Sequence, residues 1–127
     1  MKVQIIGLPC SGKTTIIKKY LSKNLDIDYI DIRSFNEPNK NFKYVKKIRK
    51  STSLLIAESA CGVSIPGTEV VRLDIPKKEL FTRMLDRDNQ LDEDYLSLLE
   101  TQMIPAKFTV RSESALIGLL NNIFYGK

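Results

Sequence analysis

Residues 7–14 have the composition and spacing of a phosphate-binding loop. They read GLPCSGKT and match the pattern G-x-x-x-x-G-K-[S/T], with an apolar run before them and a helical pattern after them. Such a loop wraps a polyphosphate with backbone N–H groups, so its glycines stand where a side chain would clash or strain the backbone. The alternative is a simple glycine turn before a helix. We expect a nucleoside triphosphate to bind here, through Gly7, Pro9, Cys10, Ser11, Gly12, Lys13, Thr14 and Thr15.

The last three of these residues have distinct expected roles. Lys13 would reach the outer phosphates, and the Thr14 hydroxyl is placed to bind Mg²⁺. The helix that begins here adds the positive end of its dipole to the site. Thr15 either donates to the innermost phosphate or simply starts the helix, and the sequence leaves both open.

Two carboxylates follow apolar segments that read as strands. Glu58 comes after the buried run SLLIA at residues 53–57, and Asp31 follows Tyr29 and Ile30. The carboxyl ends of parallel strands lie on the ligand side of a sheet, so Glu58 is a candidate Mg²⁺-ordering or base residue, and Asp31 is a second candidate. A carboxylate simply in solvent is the competing interpretation, especially for Asp31, since Asp26 and Asp28 are its neighbours.

Two arginines share a predicted helix face further along the chain. Arg83 and Arg87 are four residues apart, so their guanidinium groups face the same way. Two such planar groups suit the binding of a phosphate. Surface ion pairs with Glu79, Asp86 or Asp88 are the alternative.

Composition limits the chemistry. Histidine is absent and Cys10 and Cys61 are the only cysteines, so a structural zinc site lacks ligands and any general base is a carboxylate, lysine, tyrosine or water. We expect both thiols to be reduced. The net charge of +5 suits polyanionic ligands. Nucleic acid is a possible but not favoured partner, because no run of aromatics interleaves with the lysines.

Nothing in the sequence indicates targeting to a membrane. The chain begins directly with strand and loop patterns, and no apolar run approaches the roughly 18 residues that a membrane span needs. We therefore expect a cytoplasmic protein without a membrane partner.

Strands and helices alternate along the chain. Strands are predicted at residues 3–6, 27–32, 53–57, 69–75 and 107–110. Helices are predicted after Gly12, at residues 77–88 and 112–124, and after a capping Asp92, where Tyr95, Leu98, Leu99 and Met103 would be buried. Residues 36–41 look like a loop and residues 42–48 like a short helix. This alternation indicates an α/β fold with a parallel sheet. No linker divides residues 1–127, so we expect one domain.

These residues resemble a known family, the P-loop kinases of nucleosides, nucleotides and related small metabolites. The loop is similar to their G-x-P-x-S-G-K-[S/T] version, with Cys10 at a position that is often glycine. Residues 71–76 with Arg83 and Arg87 resemble their fourth strand and arginine-bearing lid, and residues 108–124 their last strand and helix. The resemblance implies a three-layer P-loop NTPase fold with a five-stranded sheet of order 2-3-1-4-5, and it places Asp31 and Glu58 near the acceptor. The interval between Asp31 and Ser53 is shorter than in many of these kinases.

By this resemblance the protein is an ATP-dependent, Mg²⁺-dependent phosphotransferase acting on a small nucleoside, nucleotide or similar metabolite, with Lys13, Arg83, Arg87, Asp31 and Glu58 as catalytic residues. One alternative is a polynucleotide 5′-hydroxyl kinase. Another is a nucleotide-dependent switch or assembly module that hydrolyses slowly or not at all. A guanine-specific GTPase is not expected, because residues 39–42 read NKNF and lack the aspartate of N-K-x-D. The sequence leaves the acceptor and the oligomeric state open.

Overall fold

Short apolar segments form one parallel sheet in the computed structural model, which describes residues 1–126. The strands are β1 (Lys2–Ile6), β2 (Ile27–Asp31), β3 (Leu54–Ser59), β4 (Thr68–Leu73) and β5 (Phe108–Val110). Their order across the sheet is β2-β3-β1-β4-β5, and every neighbouring pair is parallel. The expected α/β class and the order 2-3-1-4-5 are therefore confirmed.

Helices cover the sheet and connect its strands, except that β3 runs to β4 through residues 60–67 without a helix. They are α1 (Lys13–Leu21), α2 (Lys40–Lys50), α3 (Lys77–Asp88), α4 (Glu93–Gln102) and α5 (Glu113–Tyr125), with a 3₁₀ turn at Ile32–Ser34. Helices α1 and α5 share one apolar cluster with β1 and β4, whereas α2 packs in a second cluster with β2 and β3. Asp92 and Ser112 cap α4 and α5 through their side chains, and Gly126 ends α5 with a positive φ of 69°. Each helix within residues 1–126 is too short or too polar to cross a lipid bilayer.

Some details differ from the expectations. The ends of the strands are shifted by one or two residues, and β4 ends at Leu73 rather than at residue 75. Helix α2 extends beyond the predicted residues 42–48, because Tyr44 and Ile48, one turn apart, are both fully buried against the sheet and order the turns on either side. In α4, Leu99 is buried as predicted and Met103 is half-buried, whereas Tyr95 and Leu98 are exposed and Leu96 is buried in their place. The helix carries two apolar stripes, one that includes Tyr95 and Leu98 and one that includes Leu96 and Leu99. The second stripe is buried because it packs with Leu8, Leu80 and Met84 in a third apolar cluster.

The register of the sheet decides which residues meet at its carboxyl edge. Asp31 is paired with Glu58, and Ile6 at the end of β1 is paired with Ser59. The loop after β1 therefore starts beside the end of β3, and the end of β2 lies one strand further out. Glu58 is the fifth residue of β3 rather than a residue beyond it, so the strand itself holds its backbone.

Candidate active site

The loop between β1 and α1 has a backbone that few side chains would allow. A Cβ on Gly7 would lie 2.8 Å from the Leu73 carbonyl oxygen and 3.2 Å from Ser11 Oγ, and Gly12 has a φ of +90°. Cys10 also has a positive φ, of 67°, which costs an ordinary residue roughly 1–2 kcal/mol. That strain gives a physical reason for the glycine that related loops often carry at this position.

The loop presents donors suited to an anion. The N–H groups of Lys13, Thr14 and Thr15 precede the first intrahelical bond, which Ile16 donates to Gly12 at 3.0 Å. Ser11 Oγ is buried and finds no hydrogen-bond partner within residues 1–126. An unsatisfied buried hydroxyl beside a free helix N-terminus fits a bound phosphate. Gly7 differs from the rest, since its N–H is donated to the Ala60 carbonyl at 3.2 Å and shapes the loop instead.

Lys13 is the first residue of α1, at the end of this loop. Burial lowers the pKa of its ammonium group, and the nearby Glu58 carboxylate offsets part of that effect. The charged form is therefore held with little solvent around it. An anion placed here would interact with it more strongly than with a lysine in water.

Glu58 is buried beneath the loop, at 2% exposure, and ties three elements together. It accepts hydrogen bonds from the Thr14 hydroxyl and the Tyr29 hydroxyl. Burial, followed by the bond to Glu58, raises the pKa of Tyr29 well above its ordinary value of 10.0, so this phenol stays a donor. Sequence reasoning missed Tyr29, which carries no motif and meets Glu58 only because β2 and β3 are neighbours.

The donor set around Thr14 fits a magnesium ion. Hydroxyl and carboxylate oxygens are the ligands that Mg²⁺ prefers, and the ion keeps most of its remaining positions for phosphate and water. Thr14 and Glu58 could hold it, directly or through a water molecule. In the described part of the chain no three His, Cys, Asp or Glu residues cluster as a metal site.

Asp31 and Arg33 form a close ion pair at the end of β2. Arg33 Nη2 lies 2.6 Å from Asp31 Oδ2 and 3.7 Å from a Glu58 oxygen, and it donates to Thr14 Oγ1 at 2.9 Å. Burial by itself raises the pKa of Asp31, but the hydrogen bonds from Arg33 outweigh it and leave the pKa lowered. Asp31 is thus ionised at neutral pH and can accept a proton or orient a hydroxyl group. Arg33 was not among the sequence-based candidates, although its spacing of two from Asp31 was visible.

The two arginines of α3 have different surroundings. Arg83 Nη1 donates to the carbonyls of Cys10 at 3.2 Å and Ser11 at 3.1 Å, and its Nη2 bonds Glu79 at 2.6 Å. Among residues 1–126, Arg87 bonds only Asp88, through two bonds of 2.9 Å. Arg83 therefore contacts the loop itself. Arg87 lies on the same side of α3, but its guanidinium group is paired with Asp88 at the surface.

These residues surround one cleft of about 620 Å³ at the carboxyl edge of the sheet. Its walls are the loop from Pro9 to Thr15, Asp31–Arg33, Lys40, Glu58–Ala60, Arg83, Arg87 and Tyr95. Every sequence-predicted site residue except Gly7 lines it. Lys40 and Tyr95 were missed because each comes from a helix whose placement over the cleft is a tertiary feature.

We predict that Arg83→Lys and Arg87→Lys each lower the turnover rate of the protein by a larger factor than they lower its affinity for nucleotide. Lysine keeps the charge but loses the planar fork, so an interaction made mainly in the transition state is weakened. We expect turnover to fall about tenfold or more, with Arg83 the more sensitive because it also binds the loop. Steady-state kinetics and nucleotide titration measure the two effects separately.

Arg111→Lys is the matched control, since Arg111 is exposed and outside the cleft. If both α3 variants turn over like this control, the two arginines act only as surface groups and their role at the phosphate is wrong.

The chain is similar to several kinases of known structure. No protein-family model matches it, and the search of curated proteins gives no match. The shikimate kinase of Aquifex aeolicus superposes with a TM-score of 0.66 at 18% identity, over 99% of this chain and 97% of that chain. The shikimate kinase of Acinetobacter baumannii, in complex with shikimate, gives 0.69 at 17%, over 99% and 94%. A gluconokinase of Sinorhizobium meliloti gives 0.56 at 14%, over 99% and 97%. The chain therefore has the fold of small P-loop kinases.

Proposed function

We propose that the protein is an ATP-dependent kinase that transfers the γ-phosphate of Mg·ATP to a hydroxyl group of a small metabolite. The observation that carries this proposal is the pairing of Asp31 with Glu58 at the edge beside the loop. A nucleotide switch needs one carboxylate to order magnesium. A second carboxylate, Asp31, next to Glu58 at this edge suits an acceptor hydroxyl.

Each residue then has a defined task. The loop and Lys13 hold the outer phosphates, and Thr14 with Glu58 positions the magnesium ion. A bound magnesium ion would neutralise charge on the phosphates. Asp31 orients the acceptor hydroxyl and takes its proton as the oxygen–phosphorus bond forms and the bond to the ADP leaving group breaks. Arg83 and Arg87 stabilise charge on the transferring group.

The acceptor side of the cleft favours a substrate with negative charge. Arg33 and Lys40 line this side, and Asp31 is already compensated by Arg33. A nucleotide or a hydroxy acid matches such a surface. The structural neighbours that are described as shikimate kinase and gluconokinase support a small acceptor of this kind.

A panel assay tests this function. The protein is incubated with Mg²⁺ and γ-labelled ATP, alone or with pooled nucleosides, nucleotides and hydroxy acids. We expect one pool to yield a labelled product that requires the protein. Release of labelled phosphate at the same rate with and without every pool would instead support a nucleotide switch and overturn the kinase proposal.

Thr14→Ala provides a further prediction. Removing the hydroxyl takes away a magnesium ligand but no phosphate-binding N–H group, so magnesium affinity should fall more than nucleotide affinity. We expect the magnesium concentration for half-maximal turnover to rise about tenfold or more, which corresponds to about 1.4 kcal/mol.

Thr109→Ala, exposed on β5 and outside the cleft, is the comparison. Equal magnesium requirements in Thr14→Ala and the parent protein would remove Thr14 from the metal site, as would full activity of the parent in excess chelator.

A further inference from the structure

The excess positive charge of the chain is concentrated on one helix. Helix α2 contains six basic residues and no acidic residue: Lys40, Lys43, Lys46, Lys47, Arg49 and Lys50. The whole chain has 20 basic and 15 acidic residues, so subtracting those six leaves fourteen basic against fifteen acidic elsewhere. The net charge of +5 is therefore a property of α2 and not of the surface as a whole.

Four of these lysines line a groove separate from the catalytic cleft. Lys43, Lys46, Lys47 and Lys50 follow the spacing i, i+3, i+4, i+7 and lie opposite the fully buried Tyr44 and Ile48. Together with residues 51–53 and the edge strand β2 they enclose about 770 Å³, which we call the α2 groove. Asp28 is its one acidic lining residue.

These four lysines are not neutralised by the described part of the protein. None of them forms an ion pair with a carboxylate of residues 1–126. Lys43 instead contacts the Asn36 carbonyl at 3.1 Å, and Lys47 lies 5.9 Å from the centre of the Phe35 ring. By contrast, Lys19, Lys77 and Lys107 elsewhere on the surface are each paired with a glutamate. The groove thus offers uncompensated positive charge along its length.

We propose that the α2 groove binds the phosphate backbone of a single-stranded nucleic acid. The eleven residues of α2 form a helix of about 16 Å. The lysines lie in a row along this helix, and such a row matches the linear charge of a polyanion. Residues 51–53 add hydroxyl groups, and the outer edge of β2, which no other strand of residues 1–126 covers, adds backbone donors. Phe42, which is 67% exposed one turn before Lys46, provides a surface on which a base can stack.

Other polyanions match this surface less well. A membrane-binding helix buries an apolar face in the bilayer, but the apolar face of α2 is already packed on the sheet and Phe42 is its one large exposed apolar side chain. An acidic peptide added to the edge of β2 would place its carboxylates against Asp28. The flexible backbone of a single strand can follow the lysine row and avoid that carboxylate. The proposal does not depend on the kinase activity.

The test measures binding of the full chain to a fluorescent single-stranded RNA of about 20 nucleotides by anisotropy, between about 50 and 200 mM salt. We expect three to five phosphate contacts, so the logarithm of the association constant should fall against the logarithm of salt with a slope of about −2 to −3.5. A slope near zero, or no binding at the lowest salt, overturns the proposal.

A pair of charge-matched variants locates the site. Lys43→Gln/Lys46→Gln/Lys50→Gln removes three charges from the groove, and Lys18→Gln/Lys23→Gln/Lys78→Gln removes three exposed lysines elsewhere. We expect about a tenfold or larger loss of RNA affinity in the first variant and less than about threefold in the second. Circular dichroism confirms that both variants are folded. Equal losses would show that net charge alone binds RNA, and tighter binding to anionic vesicles or polyglutamate than to RNA would also overturn the proposal.

Discussion

Lys13→Ala is expected to lower phosphoryl transfer about a hundred- to a thousandfold or more without unfolding the protein. Lys13 is the one lysine of the loop, and its ammonium group is buried next to Glu58, where its charge is poorly solvated. A charge held in this way contributes most to a transition state in which negative charge builds up on the transferred phosphate. Turnover with the acceptor found in the panel assay measures the loss, and nucleotide titration shows how much of it is ground-state binding.

The matched control for this variant is Lys18→Ala. Lys18 lies on the same helix but is exposed and outside the cleft, so its loss should leave turnover unchanged. Undiminished activity of Lys13→Ala would contradict the assignment of the loop as a phosphate site.

The stability of a Lys13→Met variant gives an independent check that needs no substrate. Burial lowers the pKa of Lys13 in the folded state below its ordinary value of 10.5, which applies to the unfolded chain. At a pH between these two pKa values, Lys13 therefore binds fewer protons in the folded protein than in the unfolded chain. The free energy of unfolding of the parent should therefore rise with pH across that window, relative to the variant. Denaturant titrations of both proteins at several alkaline pH values measure the difference.

The second large effect is expected from Glu58→Gln. The amide keeps the shape of the side chain and can still accept from the Thr14 or Tyr29 hydroxyl, but it removes the negative charge that would order magnesium. We expect turnover to fall about a hundred- to a thousandfold, together with a clear loss of magnesium affinity. The Asp31→Asn variant should lower turnover comparably but bind Mg·nucleotide like the parent, because Asp31 is assigned to the acceptor.

This pair of variants separates the roles of the two carboxylates. Turnover, magnesium dependence and nucleotide affinity are measured for each, with Asp28→Asn on the same strand as an exposed control. If Asp31→Asn loses magnesium affinity and Glu58→Gln does not, the two assignments are reversed. If neither variant differs from the control, the edge formed by β2 and β3 is not the site of chemistry.

The sequence by itself determined the conformation of the loop at residues 7–14 and the alternation of strands and helices. Both are local features: the loop conformation depends on Gly7, Gly12 and the start of α1, all within a few residues of one another. Burial periodicity likewise identifies a strand or helix within its own segment. Strand order came from the resemblance carried by the loop, and the sheet of order 2-3-1-4-5 confirmed it.

Tertiary structure decided which residues meet across the sheet. The pairing of Asp31 with Glu58, the bond from Tyr29 to Glu58 and the reach of Arg33 to Thr14 depend on the register of β2 and β3. No local pattern encodes that register, because it is set by how two buried strands fit the same core.

Tertiary packing also decides which side chains of the helices reach the cleft or the core. Arg83 and Arg87 look equivalent in sequence, yet only Arg83 contacts the loop carbonyls, because the angle at which α3 packs places one turn nearer the loop. In α4 two apolar stripes compete, and contact with Leu8 decides between them. The periodicity of a helix indicates which of its faces could be buried. Which face is buried, and therefore which side chain reaches the site, depends on the element against which the helix packs.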